Sequence, residues 1–255
     1  MLKEFFVDAN ITMPFKLFGK THLACIIIVI LGWIIITLNR HKLRQIPISI
    51  TRKILLISAI IMLINMIVYN IAFLYFGIFD YKIHLPFHLC FISGYIFMYA
   101  IFFKKEKLLK ITYFLSVLGP IPAIIWPEFQ STFNSFEFYE YFISHHFFLL
   151  ISLFAFFALK LKIEKKDVLK TIIIATSILV TLIPFNHYFK TNYIFSSEIP
   201  AVVINTIPFI KHFHPIIILL VLAIFIISLM YLFAKKTSLD YNCSNNNIKK
   251  LGGKP

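Results

Sequence analysis

Charged side chains are scarce in this sequence, and acidic ones are the scarcest. Only 14% of the 255 residues are charged, and Asp and Glu together number 11. The chain is 60% hydrophobic and has a mean hydropathy of +0.86. A soluble domain of this length has too little interior to bury so much apolar surface, which excludes a water-soluble protein. The composition instead predicts a protein that lies in a lipid bilayer.

Cysteine is also rare, and the three cysteines are far apart. Cys25 falls in the first apolar run, Cys90 opens a later one, and Cys243 lies near the end of the chain. This spread shows no evident pairing, so the sequence predicts no disulfide framework. Gly/Ser-rich linkers, internal repeats and a signal-peptide pattern are absent as well. These absences predict one membrane domain over residues 1–239.

Seven apolar runs are long enough to cross the hydrocarbon core, which takes about 17 to 25 helical residues. Each run is continuously apolar rather than alternating, so helices are favoured over barrel strands. The predicted helices are 21–38, 53–76, 86–103, 108–126, 139–159, 168–188 and 214–234. The predicted fold class is therefore all-α, a polytopic membrane protein with a seven-helix bundle. Residues 240–255 are polar and predicted to form a disordered tail.

Lysine and arginine are distributed unevenly among the connections between these runs. Of the 25 Lys and Arg residues, 19 lie on one side of the predicted bundle and 6 on the other. Because basic connections stay in the cytoplasm, the pattern predicts an external N-terminus and a cytoplasmic C-terminus in the cell membrane. The formal charge of +14 then indicates contact with anionic lipid headgroups rather than nucleic acid.

Polar side chains within the predicted helices gather at one depth. Eight of the nine histidines lie at the outer level, and only His41 lies on the cytoplasmic side. Polar groups within spans are energetically costly and usually face a bundle interior or a watery cavity. The common depth predicts one outward-facing cavity. The candidate substrate-binding residues at this level are His22, His88, His146, Asn186, Asn192 and Tyr193.

The segment HLPFHLC, residues 84–90, concentrates reactive side chains at the start of the third predicted helix. Cys90 lies near the positive end of the helix dipole, which favours a nucleophilic thiolate. His88 and Cys90 are two residues apart, so they point to nearly opposite sides of an ideal helix. A histidine from another helix, His145, is the better predicted base for Cys90. The alternatives are a buried, inert cysteine and histidines that only bond neighbouring helices.

A metal site is a competing use of the same side chains. Imidazole and thiolate are ligands that suit zinc, and the alternative ligand set is His84, His88, His145 and His146. The spacing matches no specific zinc motif, so the preferred prediction contains no cofactor. Two other functions stay open: a metal-dependent membrane lipid hydrolase that uses the histidine cluster, and a non-enzymatic transporter or receptor.

Residues 85–90, LPFHLC, resemble the LPxHLC motif of the YwaF-like family of bacterial integral membrane proteins. Shorter segments agree with that family in the same order: Thr21-His22-Leu23, Trp126-Pro127-Glu128, Phe142-Ile143-Ser144-His145, Asn186, and Asn192-Tyr193. The sequence departs from the family at Lys190-Thr191, where Gly-Gly is usual, and at Glu128, where Asp is common.

The YwaF-like family is similar to a eukaryotic transmembrane group of cysteine-dependent acyltransferases that act on lysophospholipids. The resemblance implies a thioester on Cys90, formed from a donor phospholipid and passed to an acceptor hydroxyl. It implies His145 as the general base, and Asn192 or His88 as the group that stabilises the oxyanion. Membrane lipids are the partners that this resemblance implies.

Overall fold

The computed structural model describes residues 5–6, 15–128 and 135–250, with side chains through residue 238. These residues form helices and connections, and no β-strand occurs among them. From residue 15 onward the helices are α1 (Lys20–Leu38), α2 (Arg40–Leu43), α3 (Ile48–Tyr75), α4 (Leu89–Phe102), α5 (Glu106–Leu118), α6 (Pro120–Ile125), α7 (Phe136–Ala158), α8 (Lys165–Phe189), α9 (Ala201–Thr206) and α10 (Pro215–Lys250). Two 3-10 turns, Tyr193–Phe195 and Pro208–His212, lie between α8 and α10.

Six segments in the described ranges are long and apolar enough to cross a bilayer, and they confirm the all-α membrane fold. They are α1, α3, α5 continued by α6, α7, α8 and α10. Each of them overlaps one predicted helix. The remaining predicted helix, 86–103, is present as α4, whose 14 residues extend about 21 Å and fall short of a hydrocarbon core of about 30 Å.

α4 begins at Leu89, later than predicted, because the residues before it are held in a loop. His88 is the N-cap and has an extended backbone (φ −66°, ψ 149°). The N–H of His84 donates to the carbonyl of Asp80 (2.8 Å), and the N–H of Leu85 donates to the Tyr193 hydroxyl (3.0 Å). The predicted start at residue 86 therefore falls in this loop. Cys90 becomes the second residue of α4.

The last helix continues into the segment predicted to be disordered. α10 extends from Pro215 to Lys250, so residues 240–250 are helical, and residues 251–255 lie outside the described part of the chain. Its apolar first half supplies the helix nucleus, and each further residue adds a backbone hydrogen bond without a second nucleation step. A polar composition alone therefore does not end this helix.

The buried core is centred on α5 and α7. Residues 111–118 of α5 are all buried, and Phe148, Leu149, Leu153 and Phe156 of α7 are at most 3% exposed. α5 packs against α4, α7, α8 and α10. By contrast, α1 and α10 expose many Ile, Leu, Val and Phe side chains. Since water solvates such surfaces unfavourably, their exposure is what helices that face hydrocarbon require.

Two side chains from other parts of the bundle make long-range hydrogen bonds to α10, at Met230 and at Thr237. The hydroxyl of Tyr113 on α5 donates to the carbonyl of Met230 (3.1 Å). The guanidinium of Arg44 donates through two nitrogens to the carbonyl of Thr237 (3.3 Å each). Because these hydrogen bonds lie beyond residue 229, they hold α10 in place and leave its first turns free to line a cavity.

Candidate functional site

A cavity of about 1410 Å³ lies among α3, α4, α7, α8 and α10. Most of its lining is aliphatic and aromatic. The polar side chains that line it include Asn65, His84, His88, Cys90, Glu140, Ser144 and His145. Small-molecule pockets usually measure about 300–1,000 Å³, so this cavity has room for a larger and mostly apolar molecule.

Cys90 lies at the N-terminus of α4 and lines this cavity. It is a free, half-buried cysteine. The first hydrogen bond of the helix joins the N–H of Ile92 to the carbonyl of His88 (3.1 Å). The preceding N–H groups of the first turn, including that of Cys90, therefore have no acceptor within the helix. The start of α4 presents these donors and the positive end of its dipole beside the thiol.

Gly119, at the junction of α5 and α6, sets the position of the Cys90 backbone. A Cβ atom added to Gly119 would lie 3.1 Å from the Cys90 nitrogen and 3.2 Å from its Cα. Both atoms belong to a helical backbone and cannot move aside as a flexible side chain would. The start of α4 can therefore approach this junction closely only because residue 119 has no side chain.

His145 of α7 lines the same cavity and has one free ring nitrogen. Its Nδ1 lies 2.6 Å from the carbonyl oxygen of Tyr141, an acceptor, so Nδ1 carries the proton. Nε2 then carries the lone pair, and it has no hydrogen-bond partner among the described residues. The side chain is only 7% exposed. The structure thus brings Cys90 and His145 to one cavity without a direct hydrogen bond between them.

Glu140 and Asn65 form a polar link between α7 and α3 beside His145. The Asn65 side-chain amide donates to the Glu140 carboxyl (2.7 Å), and both side chains line the cavity. Glu140 was not among the predicted site residues, and the structure places it in the first turns of α7. The available signal was the polar Asn65 within an otherwise apolar run, which needs a partner in another helix.

His84 and His88 both line the cavity, but at different places in the loop before α4. The Nδ1 of His84 accepts the N–H of Asp80 (2.7 Å), and its ring stacks on Phe73 with centroids 4.4 Å apart. The ring of His88 packs against Tyr193, 5.0 Å between centroids.

Asn186 and Tyr193 hold the loop that supports the start of α4. The Asn186 amide group donates to the Tyr193 carbonyl and the Ser196 hydroxyl (2.8 Å each). Its oxygen accepts from the Thr191 hydroxyl (2.7 Å) and the Tyr193 N–H (3.0 Å). The Tyr193 hydroxyl in turn donates to the Tyr81 carbonyl and accepts the Leu85 N–H. Both side chains therefore use their polar atoms within the protein.

The other predicted substrate-binding residues also make internal hydrogen bonds. His22 is fully buried, and its ring bonds the Phe18 N–H (2.9 Å) and the Ile124 carbonyl (2.8 Å). The Nε2 of His146 lies 2.7 Å from the Cys25 carbonyl. The Asn192 amide donates to the Glu198 carbonyl (2.9 Å). Within the described part of the chain, Asn192 lines the cavity, whereas His22 and His146 do not.

The four histidines of the alternative metal site are not gathered around one point. Among the residues that the structure describes, no group of three His, Cys, Asp or Glu side chains is placed to hold a metal ion. His84 bonds within its loop, and His146 faces α1. The described residues therefore form no zinc site, and the zinc alternative stays a prediction.

The fold and the cavity define a multi-pass helical membrane protein. The chain belongs to the TMEM164 family, whose model matches residues 17–234. That range includes Cys90, His145 and every other lining residue named above. No curated protein and no solved structure matches the chain. The family name states no activity, and the similarity to YwaF-like bacterial proteins stays a prediction.

Proposed function

We propose that this protein transfers acyl chains between membrane lipids through a thioester on Cys90, with His145 as the base. The observation that supports the proposal is that a free thiol at a helix N-terminus and an imidazole, whose Nε2 has no partner among the described residues, line one cavity. Buried polar atoms in proteins are almost always hydrogen-bonded, so an unbonded nitrogen on a side chain that lines the same cavity as a thiol calls for a functional reason. A transferred proton supplies one.

The proposed reaction has two balanced half-reactions. Nε2 of His145 takes the Cys90 proton, and the thiolate attacks the ester carbonyl of a donor phospholipid. The C–O bond breaks, the thioester forms, and the lysophospholipid oxygen leaves with the proton from His145. In the second half, His145 takes the proton of an acceptor hydroxyl, which attacks the thioester and releases the thiol.

Charge develops on the carbonyl oxygen in both halves, beside the start of α4. The backbone N–H groups of the first turn of α4 have no acceptor within the helix and are suited to stabilise that oxyanion. His88 is the N-cap of α4, so it comes directly before this first turn. Asn192 is less suited, because its amide already bonds the backbone of residues 197 and 198.

The proposed site lies on the external side of the cell membrane. The asymmetry of Lys and Arg, 19 against 6, orients the N-terminus outward. α4 then completes a seventh crossing together with the loop before it, since non-helical backbone is tolerated at membrane depth where it lines a cavity. In this arrangement the carbonyl of a lipid meets Cys90 while its hydrocarbon chain remains in apolar surroundings.

The test uses purified protein in vesicles that contain a phospholipid with a radiolabelled acyl chain. We expect protein-bound label that neutral hydroxylamine removes, and labelled phospholipid when a lysophospholipid is added. Cys90→Ala should carry no label. Cys25→Ala is the matched control, since Cys25 is the other half-buried cysteine among the described side chains and does not line the cavity. Unchanged labelling of Cys90→Ala would remove the proposed nucleophile, and chelator-sensitive lipid hydrolysis would favour the metal-dependent alternative.

A further inference from the structure

Gly94 lies one helical turn below Cys90, on the same face of α4. Four residues in a helix correspond to a rise of about 6 Å, and residues at this spacing are neighbours on the helix surface. Gly94 is buried and lines the cavity together with Cys90. A Cβ atom added there would already be in contact with side chains of α3. Glycine therefore leaves a narrow space, and anything larger than a methyl group has to displace those side chains.

Two methionines of α3 face Gly94 across this space. A Cβ atom added to Gly94 would lie 3.5 Å from the methyl carbon of Met62 and 3.6 Å from that of Met66. Both methionines line the cavity. Methionine is unbranched and flexible, and it adapts to irregular apolar neighbours. The wall opposite Gly94 is therefore apolar and adjustable.

The cavity closes a short distance below Gly94. Phe97 is fully buried, and its ring packs edge-to-face on Phe148, with centroids 5.7 Å apart. Phe148 lines the cavity, whereas Phe97, which the structure also describes, does not. On α4 the lining thus ends at Gly94, and Phe97 in the next turn packs behind the lining residue Phe148. A long chain that descends from Cys90 along α4 therefore has to turn aside beyond Gly94.

The space for such a turn lies along α10. Lining residues of α10 extend from Pro215 to Ile227, about 18 Å at 1.5 Å per residue. Several of them, including Ile217 and Val221, are also more than half exposed on the surface of the protein. The cavity therefore continues from the space beneath Cys90 to the surface that contacts hydrocarbon.

We infer that Gly94, Met62 and Met66 form the subsite for the acyl chain carried by Cys90, and that this subsite determines which chain lengths are accepted. The inference rests on the proposed function. The first methylenes lie against Gly94, and the remainder bends beyond Gly94 and follows α10 towards the bilayer. Short acyl groups end above Gly94, so they do not depend on the open space there.

The experiment measures Cys90 acylation by intact-protein mass, using nitrophenyl esters from acetyl to palmitoyl and the full-length protein in detergent micelles. One methylene too many or too few in an apolar pocket changes the preference between two substrates by about 10- to 200-fold. We therefore expect Gly94→Leu to lower the rate with palmitoyl ester at least tenfold, while acetylation stays close to wild type.

The controls separate the subsite from general damage. Tyr95→Leu introduces leucine at the next position of α4, where Tyr95 is exposed and lies outside the cavity lining. This variant should leave the dependence of the rate on acyl chain length unchanged. Met62→Phe fills the space from α3 and should reproduce the loss for long chains, which decides the question if Gly94→Leu does not fold. Equal losses at all lengths, or no change, in a folded variant would overturn the subsite. Wild-type protein that forms no Cys90 adduct with any ester would instead overturn the proposed function.

Discussion

His145 and His146 are neighbours on α7, yet their rings have different surroundings. The ring of His146 has a carbonyl oxygen near each nitrogen, from Phe142 and from Cys25 on α1. The ring of His145 is fixed at Nδ1 by the Tyr141 carbonyl, and its Nε2 has no partner among the described residues. His145 lines the cavity, and His146 lies outside it.

This difference distinguishes a histidine that holds helices together from one that is available for chemistry. Inside a membrane an interhelical hydrogen bond is a sufficient reason for a histidine, as at His146 and at His22. A buried nitrogen without a partner costs free energy and needs another explanation. The comparison therefore assigns structural roles to His22 and His146 and supports the proposed catalytic role of His145.

The largest expected effect comes from replacing each of the two neighbouring histidines in turn. His145→Ala should slow Cys90 acylation by about 10²- to 10⁴-fold, the usual contribution of a general base, with little change in thermal stability. His146→Ala should lower stability by about 1–3 kcal/mol, because the carbonyl that accepts the imidazole N–H loses its partner, and leave the acylation rate close to wild type.

Acylation kinetics and thermal unfolding of both variants in the same micelles check this pair of predictions. His145→Gln retains a polar side chain without a basic nitrogen and should be as slow as His145→Ala. If His146→Ala were the slower enzyme, the distinction between the two histidines would be wrong.

A smaller effect is expected from the glycine that positions Cys90. Gly119→Ala forces the start of α4 away from the α5–α6 junction, and a displacement of about 1 Å at the reacting atom can reduce the rate by about 100-fold. The matched control is Gly32→Ala, whose Cβ would meet the mobile end of Leu150 at 2.8 Å and not a backbone. Thiol alkylation rates at Cys90 and acylation rates measure the difference. Equal rates for both variants would contradict a positioning role for Gly119.

The smallest expected effect concerns Tyr193, whose hydroxyl holds the loop before α4. Tyr193→Phe removes the hydroxyl that bonds the backbone of Tyr81 and Leu85, so stability should fall by about 1–3 kcal/mol and acylation only slightly. Burial raises the pKa of Tyr193 from 10.0 to about 12. The folded state therefore favours the neutral phenol, and this contribution to stability is present below pH 10 and lost as the pH rises through about 12.

The free energy of unfolding, measured from pH 8 to pH 12, checks this role of Tyr193. The stability difference between wild type and Tyr193→Phe should be constant up to about pH 10 and shrink above it. A difference that grows above pH 10 would contradict the sign derived from the buried phenol.

The helices were predictable from the sequence because their signal is local. Long apolar runs identify six of the segments directly. Common depth is a weaker guide to the cavity, because only His84, His88 and His145 of the eight histidines predicted at the outer level line it. The start of α4 was not predictable, since it depends on a hydrogen bond between Leu85 and Tyr193, 108 residues apart. The helical extension at residues 240–250 likewise has no signal in the local composition.

The roles of individual polar residues were harder to predict for the same reason. His22 bonds Ile124 across 102 residues, and His146 bonds Cys25 across 121. Sequence position alone makes these histidines look equivalent to His145. Gly94 and Gly119 carry no chemical signal at all, because their contribution is the space that they leave beside Cys90.

The measurement that tests the central claim most directly is peptide mapping of the protein after incubation with a phospholipid of defined acyl chains. The account predicts an added mass of one acyl group on Cys90, removable by neutral hydroxylamine, present in His146→Ala and nearly absent in His145→Ala. An acyl group on a different residue, or equal occupancy of Cys90 in both histidine variants, would contradict it.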